Sequence, residues 1–182
     1  MKVLITGGAG FIGSNVADVL LENGHEVIAL DNFSTGKKEN LKSDVLIYET
    51  DIRDKAVFDI FNNEKPDVLI HNAAQVSVRI STEDPANDAQ INIIGSINVF
   101  DAAVRSGVEK IIFASSGGTV YGEQKTFPAD ESHPTSPISP YGAAKLSVEK
   151  YLYYYHFNYG IRYVALRYAN IYGPRQDPYG EA

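Results

Sequence analysis

Tyr141 and Lys145 have the residue types and the spacing of a proton-transfer pair. They form a Y-x-x-x-K pattern directly after Pro140, at the start of a predicted helix, so both side chains lie on one helix face. A free tyrosine has a pKa of about 10 and is a poor base at neutral pH. A neighbouring lysine ammonium favours the phenolate and brings the tyrosine into the range of a general base. The alternative is an ordinary helix start with an exposed tyrosine and lysine.

A glycine-rich turn near the N-terminus predicts a phosphate-binding site. Gly7, Gly10 and Gly13 form a G-x-x-G-x-x-G pattern between a predicted strand and a predicted helix. The first glycine lets the chain turn sharply, the second lets a pyrophosphate approach the backbone, and the third lets helix and strand pack closely. The helix N-terminus adds free N–H groups and a partial positive charge. The alternative is a glycine-rich turn without a ligand.

Asp31 indicates which dinucleotide the turn would bind. It ends the second predicted strand, 18 residues after Gly13. A carboxylate there accepts hydrogen bonds from both ribose hydroxyls and repels a 2′-phosphate, which favours NAD over NADP. The positive nicotinamide of NAD⁺ would also favour the Tyr141 phenolate, and Lys145 could hold the nicotinamide ribose. Alternatively, an aspartate at a strand end is only a turn former.

Alternating strands and helices must position these residues. Short apolar runs predict six strands, at residues 2–6, 26–30, 45–48, 68–70, 110–114 and 163–166. Helical spacing of apolar residues predicts helices at 11–23, 56–61, 86–106 and 143–159. This alternation predicts an α/β fold with a doubly wound parallel sheet, Rossmann-like, with right-handed crossovers. The long loops 32–42 and 117–140 follow strands, where such sheets bind ligands.

Composition excludes several classes of function. The 182 residues are 44% hydrophobic and 21% charged, which suits one domain of ordinary size with a core. The formal net charge of -7 makes nucleic acid an unfavourable partner. The chain has no cysteine, and its four histidines do not have metal-ligand spacing, so we expect no metal. With no long apolar stretch, we expect no membrane partner and a cytoplasmic location.

Seven short segments, taken in order, resemble one protein family. They are TGGAGFIGS, Asp31, the Asp51-Ile52 pair, HNAAQ, SSGGTVYG, SPYGAAK and RYANIYGPR. The chain is similar to the extended short-chain dehydrogenase/reductases, a family of NAD-dependent epimerases and dehydratases, and within it most similar to the UDP-glucose 4-epimerase family. The resemblance implies a Rossmann-like NAD-binding domain over residues 1–182. It also implies an isomerase that inverts C4 of a UDP-hexose through a 4-keto intermediate.

The resemblance assigns residues to the NAD site. They are Gly7, Gly10, Phe11, Ile12 and Gly13 on the pyrophosphate turn; Asp31, Asn32, Ser34, Thr35 and Gly36 at the adenosine ribose; Asp51 and Ile52 at the adenine; Asn72, Ala73, Ala74 and Gln75 along the cofactor with Asn92 beneath it; and Ser115, Tyr141, Lys145 and Tyr168 toward the nicotinamide. Asn92 also has an ordinary interpretation as a polar helix residue.

The family's catalytic groups map onto this chain with one departure. Tyr141 and Lys145 match the catalytic pair, and Asn170 resembles the residue that touches the sugar nucleotide, although it could be a turn residue. The family usually has a catalytic serine or threonine where this chain has Gly117. Ser116 and Thr119 are our candidates for the missing hydroxyl. Ser116, Gly117, Tyr141 and Asn170 are the implied substrate-binding residues.

The same segment discriminates between reactions. Related 4,6-dehydratases carry a T-D-E form here, whose carboxylates supply the acid and base that eliminate water. This chain has Gly117-Gly118-Thr119 and no acid, so dehydration is disfavoured. Reversible oxidation at C4 needs only the tyrosine, the lysine and NAD.

Family members are considerably longer and carry a C-terminal lobe that binds the nucleotide sugar. The chain ends at GPRQDPYGEA, just after the sixth predicted strand, so we expect that lobe to be absent. We therefore expect the 182 residues to bind NAD and to turn over sugar poorly or not at all. A decarboxylase, a reductase or a UDP-N-acetylhexosamine epimerase stays open, because the lobe decides the substrate. A non-catalytic NAD-binding module is the alternative from another class.

The helices 86–106 and 143–159 have apolar and aromatic outer positions. In the family, two such helices pair with a second subunit as a four-helix bundle, which favours a homodimer. Val99, Ala103, Leu152 and Tyr155 are the candidate contacts, and intramolecular core packing is the alternative for all four.

Overall fold

Six parallel strands form the central sheet, as predicted. The computed structural model describes residues 1–177; residues 178–182, the end of the GPRQDPYGEA segment, lie outside the described part. The strands are β1 (Lys2–Thr6), β2 (Glu26–Asp31), β3 (Leu46–Glu49), β4 (Val68–His71), β5 (Lys110–Ser116) and β6 (Arg162–Tyr168). Their order across the sheet is β3-β2-β1-β4-β5-β6. The predicted doubly wound, Rossmann-like fold is therefore confirmed.

The strand order reverses between β1 and β4, and this point locates a ligand crevice. β1 pairs with β2 on one side and with β4 on the other, so that Thr6 is in register with both Leu30 and His71. Because all strands are parallel, their carboxyl ends meet at one edge of the sheet. In open α/β sheets ligands bind outside this edge at the reversal of strand order.

Helices cover both faces of the sheet. They are α1 (Phe11–Glu22), α2 (Ala56–Glu64), α3 (Val78–Glu83), α4 (Pro85–Ala89), α5 (Ser96–Ser106), α6 (Gly117–Val120) and α7 (Pro140–Tyr159). A π-helical turn, Gln90–Gly95, joins α4 to α5, and we call it the π segment. The predicted helix 86–106 is thus present but widened at its centre. The short helices α3 and α6 were not predicted, because too few residues form them to show a period.

Local sequence signals set the ends of α7. Ser139 caps its N-terminus by accepting a hydrogen bond from the Gly142 N–H, and Pro140 occupies the first turn. The helix therefore begins at Pro140, three residues before the start at 143 that the spacing of apolar residues predicted. Gly160, with φ of 73°, ends the helix in the left-handed conformation that glycine adopts without strain.

Two apolar clusters, one on each face, hold the sheet between the helices. Leu4, Ile28 and Leu30 point to the cluster under α2, α5 and α7, whereas Val3 and Val27 point to the cluster under α1. This alternation shows that β1 and β2 are buried on both faces, as is typical of strands in a parallel sheet.

Val99, Ala103, Leu152 and Tyr155 belong to the first of these clusters and are fully buried. The structure therefore shows that these four residues pack in the intramolecular core and are not available as dimer contacts. The large apolar side chains that α7 leaves exposed are different: Tyr151, Tyr153, Tyr154, Phe157 and Tyr159. Within residues 1–177, no helix has the length and apolar character to cross a membrane.

Candidate active site

The glycine turn has the close backbone packing that its sequence predicted. Gly7 adopts φ of +64°, and a Cβ there would lie 2.8 Å from the Ala73 nitrogen. A Cβ on Gly13 would lie 2.2 Å from the Gly7 carbonyl oxygen. The Gly10 N–H donates to the Gly7 carbonyl at 3.2 Å, and α1 starts at the next residue. The turn thus leaves backbone and a helix N-terminus, rather than side chains, facing the crevice.

Asp31 and its neighbours form the ribose side of the predicted site. The buried Asp31 carboxylate accepts hydrogen bonds from the Ala9 N–H at 2.9 Å and the Phe33 N–H at 2.8 Å. These bonds fix its orientation beside the glycine turn. Gly36 lies against it, since a Cβ there would be 3.0 Å from an Asp31 oxygen. Ser34 and Thr35 are exposed on the loop between them.

Asp51 and Ile52, predicted at the adenine, play different structural parts. Asp51 accepts from Asn32 Nδ2 at 2.9 Å and pairs with Arg53 at 2.8 Å. The hydrogen bond from Arg53 lowers the pKa of Asp51 to about 2, so it is ionised at neutral pH. Ile52 is buried and packs on the π segment, where a Cβ on Gly95 would lie 2.7 Å from its Cδ1.

The side chain of Asn92 holds the loop after β4 by two hydrogen bonds to its backbone. The Asn92 side chain accepts from the Gln75 N–H and donates to the Gln75 carbonyl, both at 2.9 Å. Ala73 N–H donates to the Thr6 hydroxyl at 3.3 Å. The Asn72 side-chain nitrogen is buried and has no hydrogen-bond partner within the described chain. A buried donor without an acceptor beside a glycine cradle fits a site that a ligand completes.

His71 connects the end of β1 to the start of α5. Its Nδ1 is 2.6 Å from the Thr6 hydroxyl and its Nε2 is 2.9 Å from the Ser96 hydroxyl. Ser96 in turn donates to the Asn92 carbonyl at 2.6 Å. Burial lowers the pKa of His71 to about 3, with a further contribution from the Lys145 charge, so the ring is neutral. His71 is thus a structural residue that joins β1, β4 and α5.

Tyr141 and Lys145 lie on the first turns of α7, with the lysine inside the protein. Lys145 is 3% exposed, and its Nζ donates to the Ala114 carbonyl at 2.9 Å. Nζ also lies 4.9 Å from the centre of the Phe113 ring and 5.6 Å from the centre of the Tyr141 ring. Burial lowers the pKa of Lys145 to about 8, which still leaves the ammonium as the main form at neutral pH. The predicted juxtaposition of phenol and ammonium is present.

The hydroxyl candidates near Gly117 differ in their surroundings. A Cβ on Gly117 would lie 3.0 Å from the Arg167 carbonyl and 3.1 Å from the Tyr168 carbonyl, so β6 leaves little space for a side chain there. Ser116 precedes α6 without capping it through its side chain. The Thr119 hydroxyl is buried and lacks a hydrogen-bond partner among residues 1–177. Of the two candidates, Thr119 therefore has the hydroxyl in need of a partner.

A partly buried ion pair, which sequence reasoning missed, links β6 to α7. Arg167 and Glu149 approach to 2.7 Å, and Ser115 donates to Glu149 at 2.6 Å. Arg167 also donates to the Tyr121 hydroxyl at 3.0 Å. Burial opposes ionisation of Glu149, but the bonds from Arg167 and Ser115 prevail and lower its pKa. The Ser115 hydroxyl, predicted to bind cofactor, is thus engaged with α7.

Gly117 and Asn170, two of the four predicted substrate residues, lie beside a cavity of about 1410 Å³. Gly117, Tyr168 and Asn170 line it, together with residues of the loop 121–131 and of α7. Tyr141, Lys145 and Ser116 do not line this cavity, so the structure brings only part of the predicted substrate set to it. Burial raises the pKa of Tyr168 and keeps its phenol neutral.

The segment after β6 returns to the glycine turn. Arg175 forms an ion pair with Asp18 of α1, and Asn15 donates to the Pro174 carbonyl at 3.0 Å. Gly173 packs on the Phe11 ring, since a Cβ there would be 3.5 Å from Cε2. Phe11 is therefore positioned by this returning segment as well as by α1.

Together these features define a dinucleotide-binding α/β protein with a tyrosine-lysine pair near the cofactor crevice. Residues 3–181 match the model of the NAD dependent epimerase/dehydratase family, and the chain belongs to that family. It is 49% identical over 180 residues to a putative UDP-glucose 4-epimerase of Methanocaldococcus jannaschii, covering 99% of this chain and 59% of that protein.

Solved structures agree with this membership. The chain is similar to the UDP-glucose 4-epimerase of Thermotoga maritima with UDP-glucose, with a TM-score of 0.97 and 53% identity. It is also similar to the UDP-glucose 4-epimerase of Thermus thermophilus in complex with NAD, with a TM-score of 0.96 and 48% identity. Each match covers 100% of this chain, and 60% and 59% of the respective neighbour. The chain thus spans about 60% of the length of the proteins it matches.

Proposed function

We propose that the chain is the NAD-binding part of an enzyme that inverts C4 of a UDP-hexose, interconverting UDP-glucose and UDP-galactose. The observation that carries the proposal is the Tyr141–Lys145 pair on α7, in a family member whose glycine turn is preserved. Support for the substrate comes from the similar UDP-glucose 4-epimerases, one of them solved with UDP-glucose. The absence of a carboxylate at Gly117-Gly118-Thr119 disfavours dehydration.

The cofactor we propose is NAD. The residues that would hold it are the backbone of the glycine turn, Asp31 at the ribose and the loop at Asn72, whose buried nitrogen lacks an acceptor. Asp31 would repel the extra phosphate of NADP. When bound, NAD would supply the acceptor for a hydride from C4 of the sugar and the donor for its return.

In this mechanism Tyr141 is the general base. It removes the proton of the sugar 4-hydroxyl as C4 is oxidised. It returns the proton after the 4-keto sugar has rotated in the site and presents its opposite face. Lys145 keeps a positive charge beside the phenol and stabilises its anionic form. Thr119 or Ser116 donates a hydrogen bond to the reacting sugar oxygen in place of the hydroxyl that Gly117 lacks. Asn170 contacts the sugar nucleotide.

The Tyr141→Phe variant tests the proposal. Removing one hydroxyl should abolish interconversion of UDP-glucose and UDP-galactose in the intact natural protein and leave NAD binding unchanged. Tyr159→Phe, at the exposed far end of the same helix, is the matched control. A Tyr141→Phe protein that retains turnover would reject the assignment of the base. An intact protein that binds NAD but no UDP-sugar would favour the non-catalytic module.

We further propose that residues 1–182 form the cofactor domain and that a C-terminal lobe supplies most of the uridine-binding surface. On this basis the 182-residue chain binds NAD and shows little epimerase activity by itself. Robust turnover by the isolated chain would contradict this division of labour. A cytoplasmic location stays a prediction from the sequence.

A homodimer is the assembly we propose. Tyr151 and Tyr154 of α7 and Ile94 of the π segment are exposed large apolar residues on two helical segments that pack against each other. Such a surface suits a second copy of the same helices. Tyr154→Glu should convert a dimer to a monomer in light scattering, whereas Tyr172→Glu, on the highly exposed segment after β6, should not. A monomeric wild-type protein would refute the dimer.

A further inference from the structure

Asp88 is a buried carboxylate that the tyrosine-lysine chemistry does not by itself require. It lies in α4 and is 1% exposed. Its Oδ1 accepts hydrogen bonds from Gln75 Nε2 at 2.9 Å and from Asn92 Nδ2 at 2.8 Å. Its Oδ2 is buried and has no hydrogen-bond partner in the described part of the chain. A carboxylate so far from water is strongly disfavoured unless an opposite charge compensates it.

Lys145, which is 3% exposed, is a buried cation on the neighbouring helix α7. α4 packs directly against α7, and the two buried charges are close enough to interact. Burial raises the pKa of the Asp88 carboxyl, whereas the hydrogen bond from Gln75 and the positive charge of Lys145 oppose that rise. In return Asp88 favours the ammonium form of Lys145, against the burial that lowers its pKa.

Other charged groups around this pair are engaged elsewhere. On α7, Glu149 pairs with Arg167 at 2.7 Å. On α3, Arg79 and Glu83 pair with each other at 3.1 Å on the surface. Other titratable groups on the elements that pack here are Tyr141 of α7, His71 of β4, which is neutral, and Asp84, which caps α4 through the Asn87 N–H. Asp88 is thus the anionic group positioned to compensate Lys145.

We propose that Asp88 is a positioning residue of the reaction centre, whose carboxylate keeps the Lys145 ammonium charged beside Tyr141 and holds the loop after β4 through Gln75 and Asn92. The proposal rests on the function proposed above, because it assigns the charge on Lys145 a task in activating Tyr141. The positively charged nicotinamide of NAD⁺ would, when bound, add a second positive charge to this site, which would make a compensating anion more important.

The geometry explains why the aspartate stands in α4. The two hydrogen bonds from Gln75 and Asn92 occupy one oxygen and fix the carboxyl plane. The second oxygen stays without a competing donor, so its charge is not neutralised by a local partner. One side chain therefore couples the cofactor loop to the electrostatics of the proton-transfer pair.

The test measures the pKa of Lys145 directly, by NMR of the chain labelled with ¹³C at the lysine ε carbon. Asp88→Asn keeps an oxygen to accept the bonds from Gln75 and Asn92 and removes the charge. We expect it to lower the pKa of Lys145 by roughly one unit, the scale of losing a neighbouring opposite charge. Glu83→Gln removes one charge from the neighbouring surface helix and is the matched control, expected to leave that pKa unchanged. An unchanged pKa of Lys145 in Asp88→Asn would overturn the proposal.

A reciprocal measurement keeps the proposal testable if Asp88→Asn folds poorly. Because the coupling between two sites is mutual, Lys145→Met should raise the pKa of the Asp88 carboxyl, followed by its ¹³Cγ shift. No change in that pKa would equally overturn the proposal. A merely structural Asp88 would alter stability without moving the pKa of Lys145.

The kinetic readout separates this proposal from the proposed function. In the intact natural protein, Asp88→Asn should shift the alkaline limb of the kcat/KM profile for UDP-galactose to lower pH by the same amount as the pKa of Lys145. If Lys145 shifts but no UDP-hexose is converted even by the wild type, the electrostatic link stands and the assigned reaction is wrong. If Tyr141→Phe abolishes turnover but Lys145 does not shift, the reaction stands and the link is wrong.

Discussion

His71 should make the stability of this fold depend on pH between about pH 7 and pH 3. The ring is completely buried between the Thr6 and Ser96 hydroxyls and packs on the Phe100 and Phe113 rings. Burial lowers its pKa from 6.5 to about 3. The unfolded chain therefore binds a proton more tightly than the folded chain. The stability that the neutral His71 ring contributes is fully present above pH 6.5 and is lost as the pH falls toward 3.

The size of the effect follows from the pKa difference. At about pH 5 the unfolded histidine is protonated and the folded one is not, and each pH unit below 6.5 removes about 1.4 kcal/mol. The free energy of unfolding should thus drop by about 2 kcal/mol between pH 8 and pH 5. Asp51, with a pKa lowered to about 2, loses its stabilising contribution only below about pH 4. It therefore does not contribute to the change in stability between pH 8 and pH 5.

Urea unfolding of the wild type and of His71→Gln at about pH 8 and pH 5 measures this term. Glutamine lacks a titrating ring, so the variant is expected to be less stable at pH 8 and to lose about 2 kcal/mol less than the wild type on acidification. His25→Gln, at the surface before β2, controls for the loss of a histidine as such. Equal acid sensitivity of the wild type and His71→Gln would refute the assignment of the effect to this buried ring.

Three further substitutions test the cofactor and substrate groups. Gly13→Ala places a Cβ 2.2 Å from the Gly7 carbonyl, so NAD affinity measured by calorimetry should fall tenfold or more, about 1.4 kcal/mol; unchanged affinity would contradict the predicted turn. Asp31→Asn removes the charge at the ribose and should weaken NAD by roughly tenfold while narrowing its preference over NADP; a preserved preference would assign the discrimination elsewhere. Thr119→Val removes the buried hydroxyl, and kcat should fall by about 10- to 100-fold with NAD binding intact; full activity would leave Ser116 as the candidate.

Local patterns in the sequence determine much of this fold. The apolar run of β1 predicted a strand buried on both faces, because every side chain from Val3 to Ile5 is apolar, and the structure has Leu4 in one cluster and Val3 in the other. The glycines predicted the turn since the positive φ of Gly7 and the approach of Gly13 to the Gly7 carbonyl are constraints within the turn itself. Tyr141 and Lys145 were predictable because four residues of spacing on a helix fix their shared face.

Contacts between distant segments were not predictable in the same way. Arg167 and Glu149 are ordinary charged residues in the sequence, and only the packing of β6 on α7 makes them a partly buried ion pair. Asp88 looks like a surface residue of a helix start until α7 covers it. Asn92 had been placed beneath the cofactor by resemblance, and its double hydrogen bond to Gln75 is a contact that no single-sequence pattern contains.

The π segment makes the position of Asp88 sensitive to the number of residues between α4 and α5. Its six residues form the wide turn between α4 and α5, and Asn92 lies in it. Deleting one residue from 90–95 would restore an ordinary helix and rotate everything before it by about 100° around the axis. Asp88 would then face away from Lys145 while the core contacts of α5 stayed in place. Deleting one residue, with no change of side-chain chemistry, would thus inactivate the site by separating Asp88 from Lys145, without unfolding the protein.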